Sequence, residues 1–224
     1  MARMARLVIP GLPHIVTQRG QSGELTFFNE EDYRSYLDLM AVGCGKWGVD
    51  IWAYCLMPDH IHLIVAPAAR EGMGRAIGEA HRLYARRIGA RRGGRGGVWQ
   101  GRFASFPMDE DYLVRAVRYV ELNPVRAKLA AAPGDYPWSS ARAHLEGRDD
   151  DLVRVSPLLG RIRNWRLLLQ GEAESGEVEE MRAHERTGRP LGSPGFIGSL
   201  EKLVGKRLMP RKPGPKPRRR RMRV

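Results

Sequence analysis

Cysteine is nearly absent: Cys44 and Cys55 are the only two in 224 residues, with no CxxC pair and no histidine at zinc-binding spacing around them. A disulfide framework and a zinc knuckle are excluded, and both thiols are expected to be reduced, buried and inert. Long apolar runs are also missing. The longest, residues 63–69 and the interrupted stretch 152–159, fall far short of the roughly 20 residues that cross a bilayer, so no membrane partner is expected. The opening MARMARLVIP carries two arginines, but its short apolar run is broken by Pro10 and Pro13, which is too early for a secretory core. The cytoplasm is the expected compartment. Acidic side chains, finally, are absent from two long segments, 80–108 and 202–224.

That last gap changes the meaning of the net charge. The chain carries 38 Lys and Arg against 25 Asp and Glu, a formal +13, which suits a polyanionic partner such as nucleic acid better than a small metabolite. Eleven of those bases lie in 202–224, and residues 1–201 hold a net charge of only +2. The tail, MPRKPGPKPRRRRMRV, has no apolar periodicity and is expected to stay disordered until it meets a phosphate backbone. Lys212, Arg218, Arg219, Arg220 and Arg221 are its candidate contacts. A second basic cluster, seven arginines within 80–108, includes Arg82, Arg86 and Arg87. With 42% hydrophobic residues the remainder can build one main core, and the expected organisation is a domain over 1–147, a helical and acidic extension over 148–201, and the basic tail over 202–224.

Within the first segment, HIVTQR reads as a strand, and Asn29 caps a helix whose Tyr33, Tyr36, Leu37, Met40 and Ala41 recur at helical spacing. Two strands, 49–55 and 61–65, meet at the turn Met57-Pro58-Asp59. A second helix is expected over 74–88, a strand over 98–106 and a third helix over 109–123, stopped by Pro124. The order βαββαβα predicts an α+β fold, a ferredoxin-like or RRM-like antiparallel sheet with helices on one face. The acidic GEAESGEVEE and an amphipathic helix over 197–208 follow in the extension.

The chemistry concentrates in MPDHIHLIV. Residues i and i+2 of a strand share a face, so His60 and His62 project together, with Ile61 and Leu63 pointing into the core. Two neutral imidazoles are half of a metal site, and a pair of satisfied surface histidines is the competing reading. A hard divalent cation needs oxygen as well. The third helix offers one: Leu113, Ala116, Val117 and Val120 form its apolar stripe, with Tyr112, Arg115, Tyr119, Asn123 and Arg126 on another side. Tyr119 and Asn123 are four apart, hence neighbours. The phenol could act as a nucleophile beside a cation that offsets its developing charge, with Asn123 as a third ligand and Arg115 and Arg126 flanking. Tyr112 and Tyr84 are rivals, for which packing or base stacking is an alternative role.

These residues carry a resemblance. HIVTQRG, FFNEEDY, IWAYCLMPDHIHLIVAP, VWQGRFASFPMDEDYL, RYVELNPVRAKL and DYPWSSARAH, in this order and spacing, resemble the REP-associated tyrosine transposases, a branch of the single-strand-specific histidine-hydrophobic-histidine transposases of bacterial insertion sequences. Coverage runs over about 10–147. The resemblance implies a DNA-nicking and joining domain in which His60 and His62 bind Mg²⁺ or Mn²⁺ and Tyr119 attacks a single-stranded phosphodiester near a hairpin, leaving a 5′-phosphotyrosine and a free 3′-hydroxyl. Arg19, Gln100 and Arg102 fall in matching segments and are implied DNA contacts. The residue type at Asn123 varies in the wider group. The loop RGQSGELTFF and the GGRGG insert depart from the pattern. The expected partner is single-stranded or hairpin DNA, with the protein a monomer or a homodimer.

Two other functions fit parts of the sequence. A DNA- or RNA-hairpin-binding module could use an RRM-like sheet for stacking without cleavage. A metal hydrolase could use the histidines and an activated water, although Asp59, the nearest acid, alternates away from the histidine face.

Overall fold

The computed structural model describes residues 4–93, 97–171 and 175–209. Four strands, β1 (His14–Arg19), β2 (Val49–Met57), β3 (His60–Pro67) and β4 (Ala104–Pro107), form one sheet in the order β2-β3-β1-β4. All three pairings are antiparallel. The register sets Thr17 and Cys55 on either side of His62, and Arg19 and Met57 on either side of His60.

Helices α1 (Glu30–Trp47) and α2 (Gly72–Arg91) cover one face, as the α+β expectation requires. Asn29 starts α1 by accepting from the Asp32 amide at 3.0 Å, and Gly48 ends it in the left-handed region at φ 60°, where a side chain is disfavoured. Ile61, Leu63 and Val65 point into this layer beside Tyr36, Met40, Ile77 and Tyr84.

The alternate residues of β3 face the other way. Ile64 and Ala66 pack with Ile15, Phe106 and the apolar stripe of α3 (Glu110–Glu121), namely Leu113, Ala116, Val117 and Val120. Beyond Leu122, a single turn, α4 (Asn123–Arg126), carries Pro124 at its start. The C-terminal helices are α5 (Ala141–Glu146), α6 (Ser156–Leu159), α7 (Trp165–Leu168), α8 (Ser175–Thr187) and α9 (Pro194–Val204). Leu158, Ile162, Trp165, Leu169, Val178 and Met181 join the α3 side of the core. The sequence pattern foresaw helices on one face only. Both faces are in fact covered, because α3 packs on the second and the apolar side chains of the extension complete its cover.

Most elements follow their expected order with shifted ends. β4 is shorter than the expected strand 98–106, because Trp99 leaves the ladder after one isolated bridge to Gly20. Its indole stacks on His81 at 4.6 Å and donates to the His81 carbonyl at 3.1 Å. Leu200 and Leu208 pack with Leu7 and Ile9, tying the C-terminal part of the described chain to the N-terminal segment. No helix among the described residues is long and apolar enough to cross a membrane.

Candidate active site

His60 and His62 lie on the α3 face of β3, at its first and third residues. Their ring centroids are 4.9 Å apart, edge to face, and the Tyr119 ring meets His62 at 5.1 Å in the same manner. The helix wheel set Tyr119 off the apolar stripe. It is instead 3% exposed and packed among the stripe residues, because α3 is covered on more than one side.

Each imidazole is held through its Nδ1. Asp59 Oδ1 lies 2.7 Å from His60 Nδ1 and Thr17 Oγ1 lies 3.0 Å from His62 Nδ1. Alternation had turned Asp59 away from the histidines. That rule does not reach it, because Asp59 sits in the turn before β3. The Nε2 atoms are left to face the site. His62 Nε2 is buried without a hydrogen-bond partner among the described residues, and His60 Nε2 is 3.3 Å from Asn123 Nδ2. Burial, reinforced by His60 and by Arg19, Arg126 and Arg182, pushes the His62 pKa well below its ordinary value, so the ring is neutral.

α3 and α4 bring the remaining groups. The Arg126 guanidinium lies 4.7 Å above the Tyr119 ring and donates to Asn123 Oδ1 at 2.7 Å. A guanidinium has only donors, so this contact fixes the amide orientation. The Asn123 oxygen expected to serve as a ligand is turned to Arg126, and the amide nitrogen faces His60. Burial and the Glu185 carboxylate raise the Tyr119 pKa, opposed by Arg126, Arg182 and Arg19.

Glu185, on α8, was invisible to the sequence reading. It is 9% exposed, accepts from Thr17 Oγ1 at 2.9 Å and pairs with Arg19 at 3.5 Å. Nothing local announces it, since 168 residues separate it from Thr17. Among the described residues no group of three His, Cys, Asp or Glu could hold a metal ion. Two imidazoles on one face, that of His62 with an orphaned, buried Nε2, nevertheless fit part of a divalent-cation shell.

The rival tyrosines are engaged elsewhere. Tyr84 is fully buried in the α1 and α2 layer, donating to the Thr26 carbonyl at 2.7 Å, and Tyr112 donates to Glu180 at 3.3 Å. Of the sequence-chosen DNA contacts, Arg19 and Arg126 belong to the cluster. Arg115 stands off Glu177 at 3.9 Å and over the Tyr112 ring. Arg82, Arg86 and Arg87 are exposed on α2, which packs on the opposite face of the sheet from the histidines, and Arg87 pairs with Glu31. The Gln100 backbone bonds to the Arg19 carbonyl and accepts from Gln18 Nε2, and Arg102 is exposed before β4. Lys212 and Arg218, Arg219, Arg220 and Arg221 lie outside the described residues.

Residues 14–123 match the family model described as transposase, IS200-like. A REP-associated tyrosine transposase solved bound to a REP hairpin superposes with a TM-score of 0.56 and 19% identity, over 69% of this chain and 93% of the other. A putative transposase from Deinococcus radiodurans R1 gives a TM-score of 0.39 and 15% identity, over 54% of this chain and 96% of the other. No curated protein matches the chain.

Proposed function

We propose, from the match of residues 14–123 to the IS200-like transposase family model, that the chain is a member of that family and a single-stranded DNA nicking and joining enzyme with Tyr119 as its nucleophile. The observation that carries this reading is the contact of Tyr119 with His62, itself beside His60, while Tyr84 and Tyr112 are committed elsewhere.

The phenol oxygen attacks a backbone phosphorus and the bond to the 3′ oxygen breaks, leaving a 5′-phosphotyrosine and a 3′-hydroxyl. Attack by another 3′-hydroxyl reverses the step and joins strands, so the linkage conserves the energy of the broken bond. Arg126 stands over the Tyr119 ring and Arg19 at the edge of the cluster, where both favour a developing phenolate and a phosphate charge. His60 and His62 would hold a divalent cation through Nε2, joined by Asn123 once its amide turns from Arg126. Bound there, Mg²⁺ or Mn²⁺ supplies Lewis-acid polarisation of the phosphate. The hairpin bound by the structural relative supports a hairpin-bearing DNA as partner, held by Arg19 at the site, by Arg102 before β4, by the α2 arginines and by the basic tail. In this reading residues 1–147 form the catalytic domain, 148–201 its helical extension and 202–224 a phosphate anchor.

The test is Tyr119→Phe, assayed with a short hairpin oligonucleotide bearing a single-stranded flank in Mn²⁺ or Mg²⁺. Wild type should trap a denaturation-resistant protein–DNA adduct and the variant should not. An adduct persisting in Tyr119→Phe removes the assignment, and cleavage leaving a free 5′-phosphate would favour an activated water instead.

A further inference from the structure

The family model ends at residue 123, yet the hydrogen-bond chain behind His62 ends on α8. Thr17 stands between the two. Its hydroxyl has one proton, and Glu185 Oε1, at 2.9 Å, is an acceptor that claims it. Toward His62 Nδ1, at 3.0 Å, Thr17 Oγ1 can then only accept. His62 must carry its proton on Nδ1, which leaves Nε2 bare, and that is the buried nitrogen without a partner among the described residues. Arg19, at 3.5 Å from Glu185 Oε2, holds the carboxylate from its other side.

We propose that Glu185, acting through Thr17, is a positioning residue that fixes the His62 tautomer and so makes Nε2 available to a divalent cation. The proposal rests on the reading of His62 as a metal ligand. It makes the C-terminal extension part of the working site. A buried hydroxyl without Glu185 would reverse its direction and donate to His62 Nδ1, forcing the ring proton onto Nε2 and blocking it. Outer partners of metal-binding histidines characteristically act in this way, and their loss weakens metal binding by about 10- to 100-fold.

The experiment uses the full chain, free of metal, with ¹⁵N-labelled histidine and the His62 signals assigned by difference from His62→Gln. Wild type should show a protonated Nδ1 and a bare Nε2. Glu185→Ala should shift the ring toward the Nε2–H form, and Glu185→Gln, whose carbonyl still accepts from Thr17, should restore the original form. Thr17→Val should disturb it and Thr17→Ser should preserve it. Mn²⁺ titration of the same proteins, without DNA, should show binding weakened by about 10- to 100-fold in Glu185→Ala and Thr17→Val. Persistence of the wild-type tautomer in Glu185→Ala overturns the proposal, and so does unchanged Mn²⁺ binding in that variant. His62→Ala separates the underlying reading. If it binds Mn²⁺ like wild type the ligand assignment fails, while the metal-free tautomer still decides the relay.

Discussion

In the proposed role, Tyr119 has neighbours that act on its charge in opposite senses. Burial and Glu185 disfavour the phenolate, whereas Arg126, 4.7 Å from the ring, and the more remote Arg182 and Arg19 favour it. Arg126→Ala should therefore slow single-turnover adduct formation by about tenfold, equivalent to one pKa unit, and the deficit should shrink as pH rises and the phenol ionises unaided. A deficit independent of pH would assign Arg126 to DNA binding alone. That His60 and His62 share a face and that Tyr119 and Asn123 lie one helical turn apart was legible because those relations are local: two residues along a strand, four along a helix. Thr17, Asp59 and Glu185 were not. Thr17 meets His62 only through the register of β1 on β3, Asp59 precedes the strand whose alternation was applied to it, and Glu185 arrives from a helix with no periodic tie to the site.

α3 must be held still for any of this to work, and its last residue anchors it. Glu121 is fully buried, with Oε1 2.6 Å from both Ser140 Oγ and His144 Nδ1 and Oε2 accepting from Trp165 Nε1 at 2.9 Å. One carboxylate thus ties the end of α3 to α5, α7 and the segment before α5. Glu121→Ala leaves the buried His144 and Trp165 nitrogens without their acceptor, at about 1–3 kcal/mol each, while Ser140 Oγ keeps the Tyr54 carbonyl at 3.3 Å, so the loss should reach about 2 kcal/mol or more in urea unfolding. A loss below about 1 kcal/mol, the scale of a single net hydrogen bond, would show the network to be incidental. The order βαββαβα and the turn at 57–59 were readable from alternation, helical spacing, proline and caps. The end of β4 was not, because Trp99 leaves the sheet for a tertiary contact with His81 that no local pattern encodes. The part of the second face's cover that comes from α6 and α7 also went unread, since helices of four residues are too brief to show a period.

Across the whole molecule the excess charge and the chemistry occupy different places. Most of the +13 belongs to the last residues of the chain, whereas the candidate site lies under α3 in a nearly neutral body. Cutting at 202 would remove the end of α9 and Leu208, which packs with Leu7 and Ile9, so the informative truncation removes 210–224. That variant should bind hairpin DNA more weakly with a shallower salt dependence, yet form the adduct at high DNA concentration. Loss of the adduct there would tie the tail to chemistry. The body should also be acid-sensitive. Burial lowers His14 to about 4 and His81 to about 3, from the ordinary 6.5, with the Leu12 carbonyl partly offsetting the effect at His14. The unfolded chain then binds more protons below pH 6.5, and stability should fall from there by about 1 kcal/mol per pH unit for each group, down to its folded value. Urea midpoints equal at pH 7 and pH 5 would contradict that burial. The most direct measurement of the central claim is to trap the covalent complex, digest the DNA and the protein, and locate the nucleotide by mass spectrometry. The account predicts a single modified tyrosine, Tyr119, joined to a 5′-phosphate. A nucleotide on Tyr84, Tyr112 or another residue, or cleavage with no covalent complex at all, would contradict it.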